Sequence, residues 1–482
     1  MSSTFHGLEL GKRALFAQQA ALNTTGQNIA NSNTAGYTRQ RAEMQATPAM
    51  PYPGINTDVS PAQLGTGVEV NKLVRLREDY LDVQFRGQNK DLGYYEAKSD
   101  TYTKIEELLK EPSDTGIAST MDQFWQSLQE LSKNPDSAAT RAVVRQRGVA
   151  VTESFQYVND SLNQMKTDLN NVISVNVSDV NSLAKQIGDV NDQISRLVPN
   201  NYQPNDLYDK RDLLIDQLSK LVNVDTKPSD NGMVDIFVSG QALVQGKTAN
   251  TVTYLQNGGS NQISIDAGQN PSTTGNNPVS LQSGELLGRI EAATKIIPDL
   301  QNSINQLADG FVNQVNTIHQ QGWNLDDISN STNNPAVTTE KLPFFTQNAG
   351  NWVVNPEIMQ SLNKIAAATQ ASVGDGTNAQ AIANIGTAII NFNNSNSTVD
   401  DYYRNIIGQL GVDSQQAQRM QDNTQSIVNQ VDNRRQSVSG VSLDEEMSNM
   451  IRFQQAYNAA ARVVTVMDEV LDKVINGMGA GH

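Results

Sequence analysis

Reactive chemistry at neutral pH rests mostly on histidine, cysteine or a perturbed carboxylate, and this chain is poor in the first two. It has three histidines, His6, His319 and His482, and no cysteine. The histidines stand far apart in sequence. No His-Glu-x-x-His zinc helix, Gly-x-x-x-x-Gly-Lys phosphate loop or Gly-x-Ser-x-Gly nucleophile turn occurs. Asp326-Asp327 lacks the alternating oxygen ligands of a calcium loop and is expected to be a solvated loop pair, with His319 a polar residue at a helix end. The acidic run Asp444-Glu445-Glu446 has two readings: charge complementing a helix N-terminus, which is the commoner use, or electrostatic capture of a partner. None of these groups assembles a catalytic constellation. The expectation is a protein with no cofactor, no metal and no enzymatic activity, working through its packing.

The elements that carry these residues are more informative. Leu8, Leu15, Leu22 and Ile29 recur every seven residues near one end, and Met450, Phe453, Tyr457, Ala460, Val464, Met467, Leu471, Val474 and Met478 step by threes and fours near the other. Each pattern draws a narrow apolar stripe along a helix, which water penalises until another helix covers it. Both stripes are therefore candidate assembly seams. Gly7, Gly11 and Gly26 weaken the first helix by about 1 kcal/mol each relative to alanine. Both ends are accordingly expected to be mobile in the free monomer and to order when copies pack side by side.

Composition sets the bounds on partners and size. A chain of 482 residues is too long for one core. With 35 Lys and Arg against 51 Asp and Glu, the net charge of −16 disfavours nucleic acid and anionic membrane as partners. Aromatic residues make up only 6%, which suits thin cores built from helix seams and small sheets. The opening residues lack the apolar stretch of a cleaved secretory signal, and no window nears the roughly 18 apolar residues of a membrane span.

Prolines and periodicity divide the interior. Pro48, Pro51, Pro53 and Pro61, with Gly54, Gly65 and Gly67, suggest a semi-rigid arm after the first helix. Between Pro135 and Pro199 an apolar seam runs in two registers, from Val151 to Leu169 and from Val180 to Leu197, joined by a stutter at Leu169, Ile173 and Val177. Uninterrupted, about 60 helical residues make a rod of about 90 Å. Further seams cover 81–109, 290–318 and, more loosely, Ile406, Leu410, Ala417, Met420, Ile427 and Val431. From 226 to 288 the period shortens to two at Val234, Ile236 and Val238, with turn pairs at Asn231-Gly232 and Asn257-Gly258. Residues 323–356, including Pro343-Phe344-Phe345, suggest a long surface excursion followed by weak helix, and Ser437 to Gly440 suggests a hinge.

The expected fold is mainly α with an inserted β domain: a long helical bundle shaft whose N- and C-terminal coiled-coil segments meet at one end. Its expected division is 1–45 with 441–482 as terminal helical segments of an inner core, 46–225, 289–322 and 399–440 as shaft, 226–288 as an outer β domain, and 323–398 as the excursion.

One local string is more specific. After the first helix, Ala30-Asn31-x-x-Thr34-x-Gly36-Tyr37 supplies Asn31, Asn33 and Gly36 for left-handed backbone angles, Thr34 to bond back to the turn and Tyr37 as an amphipathic anchor. This string resembles the signature of the bacterial flagellar axial proteins, the rod, hook and hook-associated family. Phe5 to Glu9, Thr24 to Asn28, Ser439 to Met447, Gln454 to Tyr457 and Ala459 to Arg462 are similar to its hook-associated members, as are Gly240 to Gly246 and Val315 to Gly322.

The resemblance implies a structural ring between hook and filament, exported through the flagellar type III apparatus without signal cleavage to an extracellular place on the flagellum. It also implies copies of the chain itself, hook protein and hook-associated protein 3 as neighbours, with an export chaperone on the C-terminal helix. The alternative is another axial member, a hook or rod protein, which shares the turn signature, while the long shaft helix and the Leu443 to Met447 string favour the junction member. A secreted coiled-coil adhesin or effector has no need of two seams meeting on one side.

Overall fold

The computed structural model describes residues 5–50, 64–110, 116–257, 260–266, 278–333, 340–392 and 395–477. The chain starts with helix α1 (His6–Ala30), then strands β1 (Gln40–Ala46) and β2 (Val68–Arg75). These pair antiparallel as a two-stranded ribbon, Gln40 opposite Arg75 and Ala46 opposite Val68. The arm is thus a ribbon, and an added Cβ on Gly67 would meet Arg13 Cβ at 3.5 Å, which places its far end along α1. Pro51, Pro53, Gly54 and Pro61 lie outside the described residues.

The shaft is built from α2 (Asp79–Leu109), α3 (Ile117–Lys133), α4 (Ala138–Leu197) and α5 (Asn205–Leu221), with further helices below. Ser137 caps α4, its hydroxyl accepting from the Thr140 amide at 3.4 Å, and the helix runs 60 residues through the expected stutter. Leu169, Ile173, Val177 and Val180 are all buried, so the change of register keeps the apolar face on the bundle.

Seven strands follow, β3 (Asp225–Pro228), β4 (Val234–Val238), β5 (Gln241–Gln245), β6 (Thr248–Ala249), β7 (Thr251–Asn257), β8 (Ser260–Asp266) and β9 (Pro278–Val279). They form a four-stranded and a three-stranded antiparallel sheet. Asn231 (φ 54°) and Gly232 (φ 76°) make the expected turn, and Ser239-Gly240 makes a second with both φ positive. Gly258 lies outside the described residues. The sheets lie along α4: Asn191 Nδ2 donates to Val234 O at 2.8 Å and to Gly246 O at 2.7 Å, and Asn181 pairs with both backbone groups of Val252.

The chain returns through α6 (Glu285–Glu291) and α7 (Ile297–His319), joined by one π turn at Ala292–Ile296. That wide turn falls just before Pro298, whose ring and missing N–H could not be accepted in a regular helix interior. Then come α8 (Leu325–Asn333), a hairpin β10 (Phe345–Asn348) and β11 (Asn351–Val354), α9 (Pro356–Gln360), α10 (Thr377–Ala383) and a short hairpin β12 (Ile390–Phe392) and β13 (Ser395–Ser397).

Here the structure departs from expectation. Instead of a surface excursion, Phe344 and Phe345 are 1% exposed and join Phe124, Trp125 and Phe311 in an aromatic core with ring centroids 4.8–5.9 Å apart. Asp326 and Asp327 open α8 and are not a solvated loop pair: Asp327 is buried and Asp326 accepts from Asn363 at 3.0 Å. His319 is fully enclosed rather than facing solvent, its Nδ1 hydrogen donating to Leu342 O at 2.7 Å and its Nε2 accepting from Ala366 N at 2.9 Å. Burial lowers its pKa to about 4, and nearby Arg141 adds to that against the opposing Leu342 hydrogen bond.

Two helices finish the chain, α11 (Val399–Ser439) and α12 (Leu443–Asp472). The break between them falls at the expected hinge, with Gly440 leaving helical angles and Ser442 capping α12. The buried side of α11 is a heptad of Tyr403, Leu410, Ala417, Thr424 and Val431, whereas Met420 and Ile427, expected in the seam, are 37% and 41% exposed. One continuous core runs from Tyr102 to Ala417 through the shaft and its sheets. The terminal helices stand outside it. Among their described residues only Ala17, Ala21 and Ala460 are fully buried apolar side chains.

Candidate functional site

Helices α1 and α12 run antiparallel, and small residues set how closely they approach. A Cβ added at Gly7 would lie 2.6 Å from Met467 Sδ, and one at Gly11 would lie 2.7 Å from Val464 Cγ2. The glycines that weaken an isolated helix thus admit the partner's bulky side chains here. The same face continues by threes and fours to Ala21 and Asn28, both buried. Leu8, Leu15, Leu22 and Ile29 sit one residue further round and are half-buried, at the edge of the contact rather than its centre. On α12, Ala460 is buried, Met450, Phe453, Tyr457, Val464, Met467 and Leu471 are half-buried, and Val474, in the turn after the helix, is exposed. Met478 lies outside the described residues.

The signature turn after α1 fastens this pair to the shaft. Thr34 Oγ1 bonds back to Asn31 Oδ1 at 3.2 Å, and Gly36 alone of the residues expected to be left-handed takes a positive φ, 79°. Asn31 caps α1 at φ −102°, and Ala30 is exposed. Tyr37 turns inward, its hydroxyl donating to Asn28 Oδ1 at 2.8 Å, and burial followed by nearby Asp209, Asp206 and Glu446 pushes its pKa up to about 12.

Asn28 is the centre of the clasp. Its Oδ1 also accepts from Gln40 N at 3.0 Å, and its Nδ2 donates to Gln40 O at 2.8 Å and to Glu446 Oε2 at 3.0 Å. Arg39 completes it, with Nε donating to Glu446 Oε1 at 2.7 Å and a terminal nitrogen to Glu445 Oε2 at 2.6 Å. The acidic run therefore does more than complement a helix dipole. Glu446 is a buried tertiary partner that joins residues 418 apart, while the Ser442 hydroxyl caps the helix by accepting from Glu445 N. A polar residue two positions before a helix end and a carboxylate in another helix's first turn give no sequence signal of pairing.

A second charged layer lies beneath. Arg75 bridges Asp209 and Asp212 at 2.8 Å each, Arg77 meets Asp82 at 2.6 Å, and Arg86 meets Asp216 at 2.7 Å. Arg435 reaches the same Asp216 and stacks on Phe85 at 4.0 Å. Burial alone would raise the Asp212 pKa, but Arg77, Arg75 and Arg86 outweigh it and hold the carboxyl below its usual range. The ribbon, α2, α5 and α11 are thereby locked where the terminal pair leaves the shaft.

The outer faces of the pair remain apolar. Leu443, Met447 and Ile451 are 49–59% exposed on one side of α12, and Val463, Val466 and Val470 are 38–53% exposed on another. Phe5, just before α1, and Phe16 on it are also exposed. A helix apolar on three faces is suited to being surrounded. Nothing here gathers chemistry: among the described residues no three His, Asp or Glu stand together as a metal site, and no helix is long and apolar enough to cross a membrane.

Comparison with known proteins agrees with this geometry. The family model for the flagellar hook-associated protein FlgK helical domain matches residues 102–333. Those for the flagella basal body rod protein and the flagellar basal body rod FlgEFG protein C-terminal region match 8–38 and 433–477, which cover nearly all of α1 and α12. Flagellar hook-associated protein 1 of Bacillus subtilis is 38% identical, covering 100% of both chains. The protein of that name in Escherichia coli is 27% identical over 96% of this chain and 98% of its own. The flagellar hook junction protein FlgK of Burkholderia pseudomallei, 15% identical, shares the fold over 75% of this chain and 100% of its own with a TM-score of 0.59.

Proposed function

Because the chain belongs to the flagellar hook-associated protein 1 family and so is a structural component of the flagellum at the junction of hook and filament, we propose that its copies form a ring there through the outer faces of α1 and α12. The observation that carries this is the leftover apolar surface. Once the Ala460 face of α12 is spent on α1, Ile451, Val463, Val466 and Val470 still face water. In a ring those faces meet neighbouring copies, and the half-buried seam edge at Leu8, Leu15 and Leu22 is covered with them.

The clasp sets the angle at which the pair enters the inner core, and the shaft stands outside it with the sheets along α4. Hook protein below and hook-associated protein 3 above are the axial neighbours. Export proceeds through the flagellar type III apparatus without signal cleavage to the extracellular flagellum, with a chaperone covering the seam of α12 until assembly. The role is structural, without catalysis, cofactor or metal, and neither nucleic acid nor membrane is a partner.

Deleting the gene tests the reading. Bare hooks with filament subunit lost to the medium are the expected result, and normal filaments would reject it.

A further inference from the structure

Helices α2, α7 and α11 enclose a cavity of about 330 Å³ in the shaft, apart from the terminal pair and its clasp. Its floor is apolar, with Leu300 of α7 and Leu410 of α11 both buried. One wall is shaped by the π turn that leads into α7. Glu291, Lys295, Asp299 and Ser303 follow one another by fours, and all four line the cavity. In a regular helix each step of four overshoots a full turn by about 40°, so such a run winds off the face it started on. The wider turn at Ala292–Ile296 takes back part of that drift and keeps Glu291 on the same wall as Asp299. Lys295 and Asp299 are exposed, so the cavity opens to solvent.

Tyr102 of α2 stands in this cavity without a partner. Its side chain is 9% exposed, and among the described residues no hydrogen bond reaches its hydroxyl, although a buried phenol ordinarily finds one. Burial first, then the carboxylates of Asp413, Glu291 and Asp299, push its pKa up to about 12, so the hydroxyl keeps its proton with three acids around it. The surrounding charges are unequally matched. Lys98 meets Glu291 at 3.6 Å. Asp413 accepts from the Gln409 side chain at 2.9 Å, and among the described residues Asp413, Asp299 and Lys295 form no ion pair. Two carboxylates are thus left against one ammonium. They do not converge on a point, since among the described residues no three acidic or histidine side chains stand close enough to hold a metal ion. Acids that share a cavity but not a coordination sphere are spaced for a cation with length.

We propose that this cavity binds a short aliphatic polyamine, one ammonium at Asp299 and another at Asp413, with the methylene stem on Leu300 and Leu410 and the Tyr102 hydroxyl oxygen accepting from an ammonium. An alkylammonium has three donors and no acceptor, which suits carboxylates and a phenol oxygen, and its stem suits an apolar floor. Each end makes a charge-assisted bond, and the net charge of −16 draws such cations to the chain. Because Asp299 belongs to α7 and Asp413 to α11, the ligand ties the two helices together.

Calorimetric titration of the full-length monomer with putrescine at physiological salt tests this, and one saturable site per chain is expected. Asp299→Asn and Asp413→Asn should each weaken binding about tenfold or more, as each removes a charge-assisted bond, and Tyr102→Phe should weaken it less. Butylamine, with the same stem and one charge, should also bind about tenfold more weakly or worse to the wild-type chain. Glu153→Gln alters an exposed acid of α4 outside the cavity, changes the net charge equally and should leave binding as it is. Binding that does not saturate, or an equal loss in Glu153→Gln, means diffuse attraction to an acidic chain and overturns the proposal. Equal affinity for butylamine, or displacement of putrescine by an equal concentration of Mg²⁺, overturns it as well. These two comparisons use the wild-type chain and decide the matter even where a variant fails to fold.

Discussion

Glu446→Gln isolates the clasp from the rest of the molecule. The Glu446 side chain is 3% exposed and Arg39 17% exposed, and their contact is 2.7 Å, so the substitution removes a charge from a buried pair. Breaking such a pair commonly costs about 3 to 5 kcal/mol. Two facts reduce that here: Arg39 keeps Glu445 at 2.6 Å, and glutamine retains an oxygen for the Asn28 Nδ2 donor now 3.0 Å away. About 2 to 3 kcal/mol remains, an increase of roughly 30- to 150-fold in the opening equilibrium of the α12 N-terminus.

Because α12 is not part of the shaft core, the loss should stay local. Hydrogen exchange of the free chain should speed up in residues 443–460 and 28–40 and stay unchanged in α4. Glu445→Gln serves as the control, since that carboxylate is 62% exposed and such pairs contribute under about 1 kcal/mol. Equal acceleration in α4, or none in α12, would refute the clasp as the fastening.

Other perturbations separate the remaining parts. His319 is held neutral by its burial, with Nε2 accepting from Ala366 N, and its folded pKa of about 4 lies below the ordinary value of 6.5. The unfolded chain then binds the extra proton, so stability should fall as pH drops from about 6.5 towards 4, by roughly 3 kcal/mol in total, and His319→Gln should flatten that part of a denaturation series against pH. Gly11→Leu would place a side chain against Val464, 2.7 Å from its Cβ position, and should raise proteolysis of both terminal helices while leaving α4 resistant. Phe344→Ala empties part of the aromatic core and should cost about 3 to 5 kcal/mol in urea unfolding of the shaft without changing exchange at the clasp.

Much of the shaft was legible because one physical pattern, an apolar stripe at helical period, repeats over long segments. Val151 to Ile194 displays it over most of α4, and the fully buried side chains fall where the stripe puts them. The part of the chain from Asn324 to Phe392 was not legible. Its elements are short, and Phe344 and Phe345 are buried only because Phe124 and Phe311 meet them from distant sequence.

At the site, the heptads located the paired helices but not their contact. Leucines marked the helices, yet Gly7 and Gly11, scored as weaknesses by local propensity, carry the closest approach. Tyr37 was legible as an anchor. Asn28, Arg39 and Glu446 were not, since hydrogen bonds across 407 and 418 residues leave no local trace.

The central claim is that the outer faces of α12 join copies into the junction, and a strain lacking the gene allows it to be measured directly. Complementation with an Ile451→Asp, Val466→Asp double variant changes two exposed residues, so the monomer should fold and leave the cell. The account predicts hooks without filaments, the variant free in the medium and filament subunit beside it. Filaments in wild-type number and length, with the double variant retained at their base, would contradict it.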